Sequence, residues 1–367
     1  MEIAVKKIII IAAAVIIAIV AGIFFINTYD KDTDVTETPT KVGVILNGFK
    51  NDKSWSQSHY EALEKTAEKL NLDITYKEYV IPDMVMPVIQ ELIENGCVII
   101  IENSAVYGEY ISAAAELYPE IYFFHAAGTE QRKNLCTYFG RMYQIRYLTG
   151  IAAGLQTRTG EVGYVAAFPI PEVNRGLNAF ALGVRSVNPE AKIYVRWIGS
   201  WTADMAAENA SESLLSGHDI DVLAMHTDSV APLKVADEHG IMSIGYNIDN
   251  SGAYPDSLLT SAVWDWEKFY TPQILKCLQG KFEGLNYWES ADTGVVDIAQ
   301  LSDKADSGIL QEIEKARERF HSGTFDVFYG PIYDNSGALR VAQGESMTDS
   351  AMINDFDWYV DGIVIEE

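Results

Sequence analysis

The chain has 367 residues, carries a formal charge of −25 and is 48% hydrophobic, with 20 Tyr and 7 Trp. That length suits two domains of ordinary size, and the apolar content suits a packed core. The acidity argues against a nucleic-acid partner, which requires a basic footprint, and fits a solvated surface outside a cell. The three cysteines, Cys97, Cys136 and Cys277, are odd in number, far apart and form no CxxC. Buried thiols are expected, with no disulfide and no metal site.

Lys6 and Lys7 precede residues 8–26, nineteen residues without a charge. At about 1.5 Å per residue this run reaches roughly 29 Å, the thickness of a bilayer core, and it exceeds the about 7–15 residues of a signal-peptide core. No small-x-small cleavage site and no lipid-accepting cysteine follow it. The pattern predicts a retained transmembrane signal anchor in residues 1–30, lysines inside, with the rest of the chain held at the plasma membrane on its extracytoplasmic face. A cleaved signal is the alternative. Residues 31–40 continue as a polar, proline-ended tether without core-forming side chains.

Residues 41–47 read as a buried strand ending at the Asn47-Gly48 turn signal. Ser54 opens a helix, with Gln57 three residues on as a capping box requires, and Trp55, Ala62, Leu63, Thr66, Ala67 and Leu70 share one stripe. Strands follow at 72–80, 98–102, 121–125 and 135–139, separated by helices at 82–95 and 107–118; a long amphipathic helix is predicted at 143–157. The rhythm then restarts. Strands at 161–167, 191–198, 222–227, 241–246 and 258–263 alternate with helices at 173–187, 204–216 and 231–239, and a helix at 267–279 ends at Gly280. The fold class is therefore α/β, two doubly wound Rossmann-like lobes behind one N-terminal transmembrane helix, with lobe 1 at 41–155 and lobe 2 at 156–262. Residues 263–367 hold crossover and C-terminal elements: a helix at 310–321, an edge strand at 324–329 and a last strand at 358–365, none assignable to a lobe.

Two such lobes set their strand-end loops across one cleft, which hinge motion can close. Motifs for catalysis are absent: there is no GxxxxGK[ST], HExxH or GxSxG, and the six histidines show no close spacing. No enzyme activity, cofactor or metal is expected. What recurs at strand ends is an aromatic beside an amide or carboxylate. Asn47, Asp52 and Trp55 come first, then Asn103-Ser104, Phe168, Trp201 with Asp204, Thr227-Asp228, Asn247 with Asp249, and Trp264-Asp265-Trp266. One aromatic from each lobe could sandwich a flat ring, with stacking worth about 1–3 kcal/mol. Asp and Asn oxygens could then accept from a ring amino or N–H group, with about 1–3 kcal/mol lost where such a group is left unpaired. Several of these residues also have a structural explanation. Trp55 could staple the loop, Asp204 is best read as a helix N-cap, Asp228 could form an Asx-turn, and Trp264 and Trp266 could pack between the lobes.

The stretch NDKSWSQSHYEAL resembles the opening motif of the basic-membrane-protein (BMP) family of ABC-transporter substrate-binding proteins, which includes purine-nucleoside receptors. YFGRMYQIRYLTGIAAG, GYVAAFPIPEVNRGLNAFALGVRSVNP, WIGSWTAD, HTDS, IGYNID and TSAVWDW resemble its branch with Trp in place of Phe in that opening motif. The resemblance covers roughly residues 41–270. It implies the type I periplasmic-binding-protein fold, a purine-type ligand, and an ABC permease and ATPase as partners. Trp55 and Trp201 take the places of the family's facing stacking aromatics, Asp228 and Asp249 match acidic strand-end positions, and Asn103-Ser104 match the loop after the third strand. The chain has FFHAAG where the nucleoside receptors carry an acidic residue, and their late ribose-site lysine is not recognisable. Those departures favour a free, adenine-like base over a nucleoside. The ligand set so expected is Trp55, Trp201, Asn103, Ser104, Asp228, Asp249, Asn47, Phe168 and Trp264. A ligand-sensing ectodomain for a membrane signalling partner and an extracellular nucleoside-processing enzyme are the alternative functions.

Overall fold

Val42, Val44 and Ile45 are fully buried on strand β1 (Thr40–Ile45), as the continuous apolar run of a parallel strand covered on both faces requires. β1 lies between β2 (Leu72–Lys77) and β3 (Ile99–Glu102), followed outward by β4 (Tyr122–Ala126) and β5 (Leu135–Gly140). The second sheet repeats this order. β6 (Glu161–Ala166) lies between β7 (Lys192–Trp197) and β8 (Val222–His226), then β9 (Met242–Asn247) and β10 (Leu258–Trp264). The computed structural model describes residues 38–323 and 325–366, and both sheets lie in one unit, Lys41–Glu367. The predicted anchor and nearly all of the tether fall outside the described residues. Among the described residues no helix is long and apolar enough to cross a membrane.

In each sheet the strand order reverses beside the first strand of its half. The crevices there, between β1 and β3 and between β6 and β8, lie where open α/β sheets bind ligands. The C-terminal elements complete both sheets. β11 (Asn286–Glu289) pairs in parallel with β5, whereas β12 (Val296–Ile298) runs antiparallel to β10, and the last strand (Ile363–Glu366) joins the far edge beside β7. The expected strand at 324–329 is corrected to a single bridge between Tyr329 and Ser346. Pro331 and the Asp334 turn that follow lead instead into a short hairpin, Ile332–Tyr333 with Leu339–Val341. The last strand is shorter than expected because Gly362, at φ 91°, breaks the extended run.

The chain passes between the sheets three times: after β5, after β10 and between β11 and β12. The connectors are hydrogen-bonded, Arg141 N to Glu289 O and Asp265 N to Val295 O, each 2.9 Å. The helix after the second crossing, Glu267–Leu278, returns to the first lobe. There Tyr270 bonds His59 (2.6 Å) and Thr271 meets Thr66 (3.1 Å) on the helix Trp55–Leu70.

The helix Met142–Gln156, expected to be amphipathic, has 13 of its 15 residues buried. It is enclosed by the helices Pro171–Val187 and Ile309–His321 and by β10 and β12. Two glycines bring the first pair of helices together. A Cβ on Gly150 would lie 2.1 Å from Phe180 O, and one on Gly183 would lie 2.1 Å from Tyr147 O. Neither carbonyl can yield without moving a helix, so the contact depends on the missing side chains. Gly183→Ala is therefore expected to destabilise the protein by about 1–3 kcal/mol, read as a melting temperature several degrees lower. Gly217→Ala, where an added Cβ meets nothing within 4 Å, should leave thermal unfolding within error of the parent.

Candidate ligand site

Asp52 organises the first-lobe side of the site. Its carboxylate accepts from the backbone N–H of Ser54 (2.8 Å), Ser56 (2.9 Å) and Gln57 (3.0 Å). This corrects the expected capping box. Ser54 makes no side-chain cap bond, and Gln57 Oε1 accepts from Lys53 N instead. A carboxylate placed ahead of the helix reaches several of the orphan N–H groups, which a serine hydroxyl cannot do alone. The capped turn sets Trp55 at the first helical position. Its indole N–H donates to Asn103 O at 2.7 Å, and its ring meets His59, Phe139, Trp264 and Trp266 at centroid distances of 4.4 to 6.2 Å. Asn103 Oδ1 accepts from Asn47 N (2.9 Å), and its Nδ2 reaches Ser56 Oγ (3.3 Å). Asn103 thus braces the loops after β1 and β3.

On the second-lobe side, Gly199 turns the chain at φ 66° after β7. The Trp201 carbonyl then accepts from Asp228 N (2.8 Å), Ser229 N (3.2 Å) and the Thr227 hydroxyl. Phe168, beyond β6, stands edge-on to Trp201 with centroids 6.1 Å apart. Asp204 is not the helix cap. It sits within the first turn, and its Oδ1 accepts from Ser229 Oγ at 2.6 Å, fixing the loop beside Asp228. Asp228 is 9% exposed, and Asn247 Nδ2 donates to its Oδ1 at 2.8 Å. Burial, reinforced by the charge of Asp52, pushes the Asp228 carboxyl well above the usual aspartate range, against the pull of Asn247.

These loops enclose a cleft of about 510 Å³ between the lobes. Asn47, Trp55, Asn103 and Ser104 line it from the first lobe, and Phe168, Trp201 and Asp228 from the second. The other two expected residues lie elsewhere. Trp264 and the exposed Asp249 border a separate pocket of about 220 Å³, where Asp249 caps its own turn by accepting from Ser251 N (2.9 Å). Trp264 is buried in the connector, stacked on Trp266 at 4.4 Å and 9°.

The cleft residues that escaped the sequence reading include Tyr79, Phe139, Glu172 and Tyr246. Glu172 could have been found, because it follows the Pro169-x-Pro171 loop at a strand end, where the other polar candidates were sought. Burial raises its pKa, and Arg175 opposes the shift. Glu172, Phe139 and Ala127 also border a side compartment of about 310 Å³, walled by Arg175, Asn286, Trp288 and Asn354. There the Arg175 guanidinium lies 4.8 Å from the Trp288 ring, and Trp288 Nε1 is buried without a partner.

Three buried titratable groups near the cleft favour their neutral forms. Burial holds Glu102 well above the carboxylate range and His125 down to about 4, with Glu102 Oε1 and His125 Nε2 3.2 Å apart beneath the Ser104 loop. His226 is likewise held neutral by burial and by Arg146 and Arg175, and its Nδ1 bonds Tyr164 (3.0 Å). Among the described residues no group of three or more His, Cys, Asp or Glu side chains could hold a metal ion.

Comparison with known proteins places these features in a family. The Bmp profile, described as ABC transporter substrate-binding protein PnrA-like, matches residues 39–327. A putative ABC transporter glucose-binding protein of Haloferax volcanii is 33% identical over 313 residues, 85% of this chain and 77% of its own. A purine-binding protein of Brucella abortus is 30% identical over 330 residues, covering 89% and 93%. The transcriptional activator Med of Bacillus subtilis is 25% identical over 278 residues, covering 75% and 86%. A solved ABC transporter solute-binding protein of Aeropyrum pernix superposes with a TM-score of 0.70 at 17% identity, over 78% of this chain and 93% of that one, which shows the periplasmic-binding-protein fold. Such proteins carry a small-molecule ligand outside the cytoplasm to permease and ATPase subunits. With most of its length matched, the chain belongs to the Bmp family of PnrA-like ABC transporter substrate-binding proteins.

Proposed function

We propose that this protein captures a purine, an adenine-like base first and a purine nucleoside second, and delivers it to an ABC importer while anchored to the membrane by residues 8–26. One observation carries the reading: Trp55 and Trp201 enter the same cleft from opposite lobes, with the buried Asp228 tied to the Trp201 loop. A flat heterocycle between the indoles gains about 1–3 kcal/mol from each stacking contact. Asp228, when ionised, accepts from a ring amino or N–H group. Asn47 Nδ2, the Ser104 hydroxyl and the Glu172 carboxylate form no hydrogen bond with described residues and are available to the ligand, whereas both ends of the Asn103 side-chain amide are engaged within the protein. The purine-binding name of the Brucella relative supports the same class. The side compartment is what keeps a nucleoside in view, because it offers polar walls and room for a sugar beside the base. Binding involves no covalent step: nothing in the cleft pairs a nucleophile with a base. A sensing role is the second reading, supported by the relative named as a transcriptional activator.

Titration of the full chain with adenine should change tryptophan emission, because both stacking groups are indoles. Trp55→Ala and Trp201→Ala should each weaken adenine binding by about 5- to 150-fold, the equivalent of about 1–3 kcal/mol. A flat wild-type titration across purine bases and nucleosides removes the reading.

Asp228 gives a pH-dependent prediction. Its folded pKa is raised, so its contribution favours the folded state at low pH and is lost as pH rises through that value. Asp228→Asn removes the buried charge while keeping an acceptor for Asn247. Without ligand, its melting temperature should match wild type near pH 4 and exceed it at pH 7, although adenine binding is weakened. A wild type more stable than Asp228→Asn at pH 7 would contradict this sign.

A further inference from the structure

The lobes also meet through a polar residue outside the ligand cleft. Asn247 ends β9 at φ 71°, fully buried. Asparagine tolerates that left-handed backbone better than most residues. Its Oδ1 accepts from Trp264 Nε1 (3.0 Å), and its Nδ2 donates to Asp228 Oδ1 (2.8 Å) and to Ser54 Oγ (2.8 Å). An indole N–H can only donate, so Trp264 dictates which way the amide faces. Both amide hydrogens therefore point toward Asp228 and Ser54. The bond to Ser54 crosses from the second lobe to the first, and a second crossing bond runs from Asn250 Nδ2 to Lys53 O (3.3 Å). Ser54 is free for this contact because Asp52 does the capping.

We propose that Asn247 is a positioning residue that couples closure of the lobes to the ligand-facing carboxylate. With the lobes together, its two amide hydrogens are divided between Asp228 and Ser54, and the Ser54 side chain also bonds Asp228, so the carboxylate is held by groups from both lobes. When the lobes part, the Ser54 bond is lost, and one buried amide hydrogen and the serine hydroxyl must find water. Closure and a correctly presented Asp228 are thus one state. The inference rests on ligand binding in this cleft, but not on the ligand being a purine.

The test uses the full chain with spin labels at the exposed Glu109 and Asn209, one on each lobe, and electron–electron distance measurement without and with adenine. Ser54→Ala should shift the ligand-free distance distribution to longer values and weaken adenine binding by about fivefold, the worth of one hydrogen bond. Circular dichroism should remain unchanged, since the helix cap is intact. Asn250→Ala should shift the distances in the same direction by less, and Asp249→Asn, outside the latch, should not shift them. An unchanged ligand-free distribution in Ser54→Ala overturns the proposal. If the wild type ignores adenine while Ser54→Ala still opens, the latch stands and the purine reading falls.

Discussion

Two parallel indoles, Trp264 and Trp266, 4.4 Å apart, occupy the place where the chain passes between its sheets. Trp55 meets both edge-on, at 5.8 and 5.7 Å, and Phe139 packs on Trp264 at 4.8 Å. The close approach is possible because Gly140 has no side chain: a Cβ there would lie 2.8 Å from Val296 and 3.0 Å from the Trp264 ring. Connector and first-lobe cleft wall are therefore a single aromatic cluster. The first-lobe wall of the cleft is preorganised by the connector on which the lobes turn, so little ordering is left to the moment of binding.

The same economy appears in the polar groups. Buried ionisable side chains are costly unless neutral or paired. Glu102, His125 and His226 are held neutral by burial under the cleft. Arg146, fully buried, donates to Met225 O (2.8 Å) and sits 3.9 Å from the centre of the Tyr246 ring. These groups stiffen the floor, while Asp228 and Glu172 are the carboxylates that line the cleft itself. An acid that burial keeps reluctant to ionise destabilises the empty protein at neutral pH, and under the proposed reading a ligand donor pairing with it would offset that cost.

Much of this was legible in the residues. The alternation of buried runs and helical stripes is local, and it placed both doubly wound lobes and the strand-end positions of Asn47, Asn103, Phe168 and Asp228. What escaped depends on distant partners. The strands β11 and β12 are four and three residues long and exist because sheet edges recruit them, not through propensity of their own. Asp52 could not be told from Ser54 as the cap, because the choice turns on Asn247, 193 residues further on, which claims the serine. Trp264 and Asp249 satisfy the aromatic-plus-carboxylate pattern, yet the connector turns them to the other side. Glu172 was passed over as part of a proline loop.

The region beyond the family match, residues 328–366, contributes a wall of the side compartment. Its backbone is captured by the second-lobe helix Pro171–Val187. Asn174 donates to Phe356 O (2.9 Å), Arg175 to Met352 O (2.7 Å) and Asn178 to Trp358 O (2.7 Å), while Asn178 Oδ1 accepts from Val360 N (2.7 Å). Arg141, in the first connector, holds Asp349 through two bonds of 2.7 Å. That strap brings Ile353 and Asn354 to the wall of the side compartment. The aromatic cleft thus comes from the matched part of the chain, while the neighbouring compartment is closed by a segment outside it. A change in the strap can reshape the side compartment without disturbing the two indoles that line the cleft. If the cleft holds a ring as proposed, recognition of the ring and tolerance for what is attached to it are physically separable in this architecture.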